Sequence, residues 1–153
     1  MKISAKADYA VQALCQIALT SRDLEKVSVE TIAQKHEMPE KFLQGILTTL
    51  RKAGYIESSR GPSGGYVLSK SPDKISVADI IRAVDGPLAA VRNHAPEELK
   101  YASSLKHLPD LWIATRAALR DVLENVTIEQ IISGKFDSKI KKSISSKDAR
   151  KRR

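Results

Sequence analysis

The first third of the chain repeats apolar positions with the period of an α-helix. Residues 4–21 place Ala7, Leu14 and Ile17 on one face, which predicts an amphipathic helix. Ser28 then stands where an N-cap belongs, ahead of a short helix that reaches His36. The pattern therefore predicts two helices before residue 38.

A third helix is predicted after a link of two residues, 37–38. Pro39 suits its first position, because that position needs no amide hydrogen, and Gly54 suits the residue just past its end. The apolar positions between them keep helical spacing: Phe42, Leu43, Ile46, Leu47 and Leu50. The other positions are mostly polar, so we expect one face in the core and one in solvent.

The segment after the third helix predicts a β-hairpin. Residues 55–60 and 66–69 have strand character, and the run Gly61-Pro62-Ser63-Gly64-Gly65 between them favours a turn. Three helices followed by a glycine-rich hairpin is the order of a winged helix-turn-helix domain. The sequence thus predicts a mostly α fold with one small β-hairpin.

The second half of the chain predicts helices on either side of an irregular segment. Ser76 opens a helix that stops at Gly86, and no regular period returns before Pro109. A long helix begins there, and a capping box at Thr127 opens a last short helix that Gly134 ends. The predicted division is a winged helix-turn-helix domain in 1–87, a loop in 88–108, dimerisation helices in 109–134 and a basic disordered tail in 135–153.

The formal net charge is +8, but the basic residues are unevenly placed. Residues 134–153 hold nine basic and two acidic side chains, whereas residues 1–75 hold eleven and eight. The total charge therefore does not locate a nucleic-acid-binding face, and the order of the elements carries that prediction. Two uses of the tail stay open: contact with DNA phosphates, or a solvated end that aids solubility.

The residues present argue against several classes of protein. No stretch approaches the roughly 20 apolar residues of a membrane span, so we expect a cytoplasmic protein with no membrane contact. The single cysteine, Cys15, allows neither an internal disulfide nor a thiolate-rich metal site. Its apolar neighbours predict an inert core position, the alternative being a redox switch. No catalytic arrangement is present, so no enzyme activity, metal or cofactor is predicted.

The polar face of the third helix has side chains suited to the major groove of double-stranded DNA. Gln44 can pair with an adenine edge, Lys41 can reach a guanine or a phosphate, and Gly45 lets the backbone approach closely. In the hairpin, Arg60 suits a phosphate or a narrow minor groove, and the glycines offer amide donors. The alternatives are a solvated helix face and a turn whose glycines serve only backbone geometry. The predicted DNA contacts are Lys2, Ser4, Lys6, Ser28, Lys41, Gln44, Gly45, Thr48, Arg51, Arg60, Gly61, Gly64 and Gly65.

The helix from Pro109 carries a wider apolar stripe than its own domain requires. The predicted homodimer contacts are Leu111, Trp112, Thr115, Leu119, Val122 and Leu123. Helix-turn-helix dimers place their reading helices about one DNA turn apart, so an interface of this kind is needed. The alternative is that this helix folds back on its own domain.

Four segments resemble the Rrf-two (Rrf2) family of bacterial regulators. They are residues 2–10 (KISAKADYA), 42–54 (FLQGILTTLRKAG), 60–68 (RGPSGGYVL) and 79–87 (DIIRAVDGP). They cover about residues 1–87, and from residue 88 the likeness is to the general plan only. The resemblance implies a homodimeric, sequence-specific transcription regulator on inverted-repeat operators, and it favours a repressor.

One departure from the family pattern concerns the loop after Gly86. Cluster-binding members hold three cysteines there, whereas residues 86–108 of this chain hold none. Asp8 matches a carboxylate ligand of some members but cannot hold a cluster alone, and His94 and His107 are interpreted as polar loop residues. The resemblance therefore favours the cysteine-less branch, whose members work with a metabolic enzyme or a small-molecule effector. An alternative function is a winged-helix interaction module that docks a metabolic enzyme and binds little DNA.

Overall fold

Three helices open the computed structural model, which describes residues 2–22 and 25–151. They are α1 (Ala5–Ser21), α2 (Val29–Lys35) and α3 (Glu40–Lys52), as the apolar spacing predicts. Ser4 and Ser28 are N-caps, because each hydroxyl accepts the amide hydrogen three residues further on. Residues 23–24, between α1 and α2, lie outside the described residues.

The hairpin consists of β1 (Ile56–Ser59) and β2 (Gly65–Leu68), paired antiparallel. On its other side β2 meets Val27, which exchanges backbone hydrogen bonds of 3.2 and 2.9 Å with Tyr66. Gly65 lies at this crossing with φ of 147°, and a Cβ there would stand 2.9 Å from the Val27 carbonyl oxygen. The hairpin is thus fixed to the segment before α2, and glycine is required for that close approach.

Four further helices follow the hairpin. They are α4 (Val77–Asp85), α5 (Leu108–Leu123), α6 (Ile128–Ser133) and α7 (Ser138–Ser145), with short 3-10 turns at Pro72–Lys74, Pro96–Glu98 and Ser103–Leu105. Ser76 and Thr127 each form the capping box that the sequence predicts. None of the described helices is long and apolar enough to cross a membrane.

One hydrophobic core joins α1, α3 and α4 with α6. Leu14, Leu47 and Ile128 are fully buried in it. Backbone bonds of 2.9 and 3.0 Å hold residues 75–77 beside residues 126–128. The interpretation of 109–134 as one dimerisation unit therefore needs correction, because α6 packs on α1 of its own chain.

Helix α5 lies outside this core, since none of its residues is buried. Four side-chain contacts connect this part of the chain to other elements: Arg82 of α4 with Glu124 just past the end of α5, Arg116 with Glu97 at 2.8 Å, the Trp112 indole with the Tyr101 hydroxyl at 3.2 Å, and Lys139 with Asp121. One face of α5 thus rests on α4 and the preceding loop, Asp121 pairs with Lys139 of α7, and much of the remaining surface is exposed.

The prediction of a disordered tail over 135–153 is wrong for its first part. Asp137 caps α7 by accepting the Ile140 amide hydrogen at 2.9 Å, and the Ile140 side chain is buried. Phe136, Ile140 and Ile144 recur every four residues, which is the spacing of a helix face. The many lysines between them obscured this apolar pattern. Residues 152–153 lie outside the described residues.

Candidate nucleic-acid interface

Helix α3 separates a buried face from an exposed polar stripe. Its buried residues are Leu43, Ile46, Leu47 and Leu50. Lys41, Gln44, Gly45, Thr48 and Arg51, all predicted DNA contacts, are exposed and recur at intervals of three and four residues. We call these five residues the α3 stripe. The structure therefore brings the predicted base-reading residues together on one surface.

Phe42 differs from its prediction as a core residue. Its side chain is 44% exposed and lies edge-on against Tyr9 of α1, with ring centroids 5.9 Å apart. Edge-to-face contact suits two aromatic rings at this separation. Phe42 therefore connects α3 to α1 at the border of the α3 stripe.

Gly45 gives the centre of the α3 stripe a bare backbone. A Cβ at this position would meet no atom within 4 Å, so the fold itself does not require glycine. A glycine inside a helix costs roughly 0.5–1 kcal/mol relative to alanine. A partner molecule that approaches the helix backbone closely at this position would explain why glycine is present despite its cost to helix stability.

Three stripe residues have local hydrogen-bond partners that leave further capacity, and among them the Thr48 hydroxyl donates to the Gln44 carbonyl at 2.8 Å. The Gln44 amide nitrogen donates to Glu40 at 3.1 Å, which leaves the Gln44 amide oxygen as an acceptor. Arg51 donates from Nη1 to the Ser58 hydroxyl at 3.2 Å, and this contact ties α3 to β1. Arg51 therefore links the α3 stripe to the hairpin.

Arg60 lies at the exposed tip of the hairpin, whereas the glycines of the turn are needed mainly for the backbone conformation of the turn. A Cβ on Gly64 would stand 2.5 Å from the Ser59 carbonyl oxygen, and the Gly64 amide donates to the Gly61 carbonyl at 2.8 Å. This amide is therefore not free to bind a phosphate. Gly61, with φ of 102°, needs glycine for its conformation.

One cation beside the hairpin was missed from the sequence. Lys26 Nζ donates to the Ser59 hydroxyl at 2.8 Å, so the exposed amine lies against β1. Lys26 lies beside the hairpin because the next residue, Val27, pairs with β2. The local sequence pattern does not reveal this pairing, so it could not have identified Lys26. Lys26 belongs with Arg51 and Arg60 among the cations around the hairpin.

The predicted contacts near the start of the chain have partners within the protein. The Ser4 hydroxyl donates to Asp85, and Lys6 Nζ donates to the Val84 carbonyl at 2.6 Å, which ties the start of α1 to the end of α4. Ser28 caps α2, and the backbone N–H of Glu30, followed by the Ser28 hydroxyl, lowers the pKa of the Glu30 carboxyl. Lys2 is exposed. A role for these residues in DNA binding stays a prediction.

The predicted dimer contacts divide between two faces of α5. Leu111, Thr115 and Val122 are exposed on one face, with Leu111 54% and Val122 42% exposed. Trp112, Leu119 and Leu123 are half-buried and face the protein's own loop and α4. Two exposed alanines missed from the sequence, Ala114 and Ala118, complete the outer face at helical spacing. We call Leu111, Ala114, Thr115, Ala118 and Val122 the α5 stripe.

The residues present do not fit an iron–sulfur cluster. The loop at 86–108 has no thiolate, and the only cysteine of the chain, Cys15, lies on α1. Burial raises the pKa of the Cys15 thiol to about 11, which disfavours the thiolate that a metal needs. Within residues 2–22 and 25–151, no group of three or more His, Cys, Asp or Glu side chains is placed to hold a metal ion.

Comparison with known proteins places this geometry in a family. Residues 3–134 match the model of the Rrf2 family, described as an iron-dependent transcriptional regulator. The putative HTH-type transcriptional regulator Rv1287 of Mycobacterium tuberculosis is 41% identical over 134 residues, which are 88% of this chain and 83% of that protein. CymR of Bacillus subtilis is 36% identical over 133 residues, covering 87% and 91%.

Solved structures agree in fold. The structure of B. subtilis CymR, titled the global cysteine regulator, superposes with a TM-score of 0.73 at 35% identity and covers 88% of this chain and 98% of that one. T. potens IscR gives a TM-score of 0.70 at 30% identity, covering 88% of each chain. These relatives are transcriptional regulators and not enzymes. The chain belongs to the Rrf2 family and is a DNA-binding, winged helix-turn-helix transcriptional regulator.

Proposed function

We propose that the protein is a cytoplasmic, homodimeric repressor that binds inverted-repeat operators in double-stranded DNA. The α3 stripe would enter the major groove, and Arg60 would reach the adjacent minor groove or a phosphate. The observation that carries this proposal is the stripe itself: Lys41, Gln44 and Arg51 surround the bare backbone of Gly45 on one exposed face. A helix of this kind fits the major groove, where each base pair presents a distinct set of donors and acceptors.

The α5 stripe supports the homodimer. Its large apolar side chains are exposed, and its two alanines would let a second helix approach closely. Beside it lies an apolar groove of about 490 Å³, lined by Ile3, Leu88 and Val122. Apolar surface of this extent is costly in water, and a second copy of the chain would bury it. A dimer with two-fold symmetry would bind an operator of two inverted half-sites, with one copy of the chain on each half-site.

We further propose that the protein belongs to the cysteine-less, CymR-like branch and works without an iron–sulfur cluster. "Cysteine-less" applies here to the loop at 86–108, because the chain has one cysteine on α1. The similarity to B. subtilis CymR supports this assignment, whereas the family description names iron dependence. A regulator of this kind would respond to a metabolic enzyme or to a small-molecule effector.

Binding to the DNA upstream of the protein's own coding region tests the proposed function. Wild type, Arg60→Ala and Arg22→Ala would be titrated onto a labelled fragment at several salt concentrations. Arg22 is the control, because it is exposed but pairs with Glu129 of α6. We expect sequence-dependent, salt-sensitive binding that Arg60→Ala weakens by about 1–3 kcal/mol and Arg22→Ala preserves.

Two outcomes would contradict the proposal. Equal affinity of wild type and Arg60→Ala would remove the hairpin from the interface. No binding to any duplex at low salt would favour the alternative, an interaction module that docks a metabolic enzyme, since contacts with phosphates strengthen as salt is lowered.

A further inference from the structure

A cavity of about 450 Å³ lies between α4, α5 and the loop that connects them. Three arginines line it: Arg82 of α4, and Arg116 and Arg120 of α5. Pro87, Leu88, Ala90 and Pro96 give it apolar walls. Small-molecule sites in proteins typically have volumes of roughly 300–1,000 Å³ and combine apolar walls with a few polar groups. The cavity has the size and lining of such a site.

The two arginines of α5 keep unused hydrogen-bond donors. Arg116 pairs with Glu97 through Nη2 alone, at 2.8 Å, and Arg120 pairs with Glu124 through Nε alone, at 2.9 Å. A guanidinium has five N–H donors. Within the part of the chain that the structure describes, the remaining donors of these two side chains have no partner. Arg116 and Arg120 are four residues apart, so both lie on the same face of α5.

The third arginine is more fully engaged. Arg82 pairs with Glu124 and, at 3.5 Å, with Asp79, and neither carboxylate lines the cavity. Glu97 is the only carboxylate among the described residues that line the cavity. Glu124 and Asp79 offset the charge of the arginines from outside the lining, so an anionic ligand would be held through the unused guanidinium donors.

The loop beside the cavity adopts a strained backbone. Ala89, Arg92 and Asn93 have φ of 54°, 54° and 64°, in the left-handed region that side chains other than asparagine rarely enter. Val91 and His94 exchange two backbone hydrogen bonds of 3.0 Å and so close a tight turn around Arg92 and Asn93. Strain of this kind persists where the surrounding structure holds it, and it concentrates at ligand sites.

Trp112 of α5 is connected to this turn through Tyr101. The Arg92 guanidinium lies over the Tyr101 ring, 5.5 Å from its centroid, and the Tyr101 hydroxyl accepts a hydrogen bond from the Trp112 indole. Trp112 is one turn of helix before Arg116. The turn that forms the rim of the cavity is therefore connected to the helix that carries the cavity's arginines.

We propose that this cavity binds a small organic acid with one or two carboxylates, and that Arg116 and Arg120 are its ligands. A planar guanidinium matches a carboxylate in a paired, bidentate geometry, and the apolar wall would accept a short carbon skeleton. Because the cavity touches both α4 and α5, its occupancy changes the packing between the DNA-binding domain and α5. The acid is thus an effector of operator binding, a statement that rests on the proposed function.

Isothermal calorimetry with succinate tests the site without DNA. Full-length wild type is expected to bind succinate but not its uncharged dimethyl ester. Arg120→Gln should weaken binding by about tenfold or more, whereas Arg22→Gln, the matched change at a distant surface pair, should leave it unchanged. Circular dichroism would verify that the variants are folded. If Arg120→Gln is not folded, Arg116→Gln supplies a second variant.

Three results would overturn the site: no succinate binding at about 10 mM, binding of inorganic phosphate but not of succinate, or equal binding by wild type and a folded Arg120→Gln. Operator affinity is then measured with and without succinate. We expect succinate to change it for wild type and not for Arg120→Gln. Succinate binding with unchanged operator affinity would overturn the effector role alone, and loss of operator binding in every sample would instead count against the proposed function.

Discussion

Gly45 and Gly64 lie on neighbouring elements of the candidate interface, and their missing side chains have different consequences. A Cβ on Gly64 would stand 2.5 Å from a backbone carbonyl oxygen, so the turn itself excludes any larger residue. A Cβ on Gly45 would meet nothing within 4 Å, and its helical backbone suits alanine. The packing within the protein therefore explains the glycine at position 64. It does not explain the glycine at position 45, for which we propose contact with DNA.

Gly45→Ala is expected to separate stability from binding. The variant should unfold with a free energy about 0.5–1 kcal/mol higher than wild type, because alanine favours the helix. It should bind operator about tenfold less tightly, because the new methyl group stands where the groove approaches. Urea denaturation and DNA titration measure the two effects, and Gly64→Ala, which must lose stability, is the contrast. A more stable Gly45→Ala with undiminished affinity would remove the close approach from the proposal.

Cys15 is the residue for which the sequence leaves an inert core position and a redox switch open. Burial raises its pKa to about 11, so very little thiolate exists near neutral pH. We expect the native protein to react slowly with a thiol reagent at pH 8 and rapidly once denatured. Reaction of the native thiol at the rate of free cysteine would support the redox switch.

At the scale of elements, local signals predicted the helices that have both a cap and an apolar period. Ser28, Ser76 and Thr127 all cap helices where the sequence places them. The role of α6 could not be predicted this way, because Ile128 is buried only through contact with other elements. The same holds for Lys26, whose place beside the hairpin depends on strand pairing. The α3 stripe was predictable, because burial of its opposite face follows from the helical period.

A histidine just past the end of α2 contacts α1. His36 Nε2 lies 3.3 Å from the amide oxygen of Gln16, the one buried polar residue in the described ranges. Burial, together with the charge of Lys35, lowers the pKa of His36 below its usual 6.5. The folded state therefore binds the proton less readily than the unfolded state does. Its contribution to stability is present above the unfolded pKa and is lost as pH falls through the folded value.

We accordingly expect the free energy of unfolding to decrease as pH is lowered below about 6.5. In His36→Gln, the part of this decrease that the imidazole causes should be absent, so the variant loses less stability on acidification. Urea denaturation at a series of pH values compares the two proteins. The same pH dependence in both would show that His36 does not contribute.

Helix α5 offers a matched test of the dimer in two adjacent alanines. Ala118 lies on the α5 stripe, whereas Ala117 is also exposed but points about 100° away. Ala118→Glu would place a charge in the proposed interface and should convert the dimer to a monomer in sedimentation experiments. Ala117→Glu should remain dimeric. A wild-type monomer, or two variants with the same mass, would contradict the proposed interface.

For the whole molecule, the distribution of charge matters more than its total. The end of α7 at Ser145 separates a packed helix from a terminal segment, because Ile140 is buried and Lys139 pairs with Asp121 of α5. Residues 146–153 hold five basic side chains and one acidic side chain. The sequence predicted the basic character of this end but not its anchoring. Contact between this basic segment and DNA phosphates stays a prediction.

We therefore expect a chain ended at Ser145 to bind operator with a weaker salt dependence than the full chain. Each lost phosphate contact should reduce the log–log slope by about 0.9, while the ratio of operator to random-DNA affinity should change little, since phosphate contacts carry no base sequence. Rearranging residues 146–153 at constant composition should preserve the full-length slope, because only charge is needed. Ending at Ser145 keeps α7, so a change cannot arise from loss of that helix. An unchanged slope would identify the segment as a solvated end.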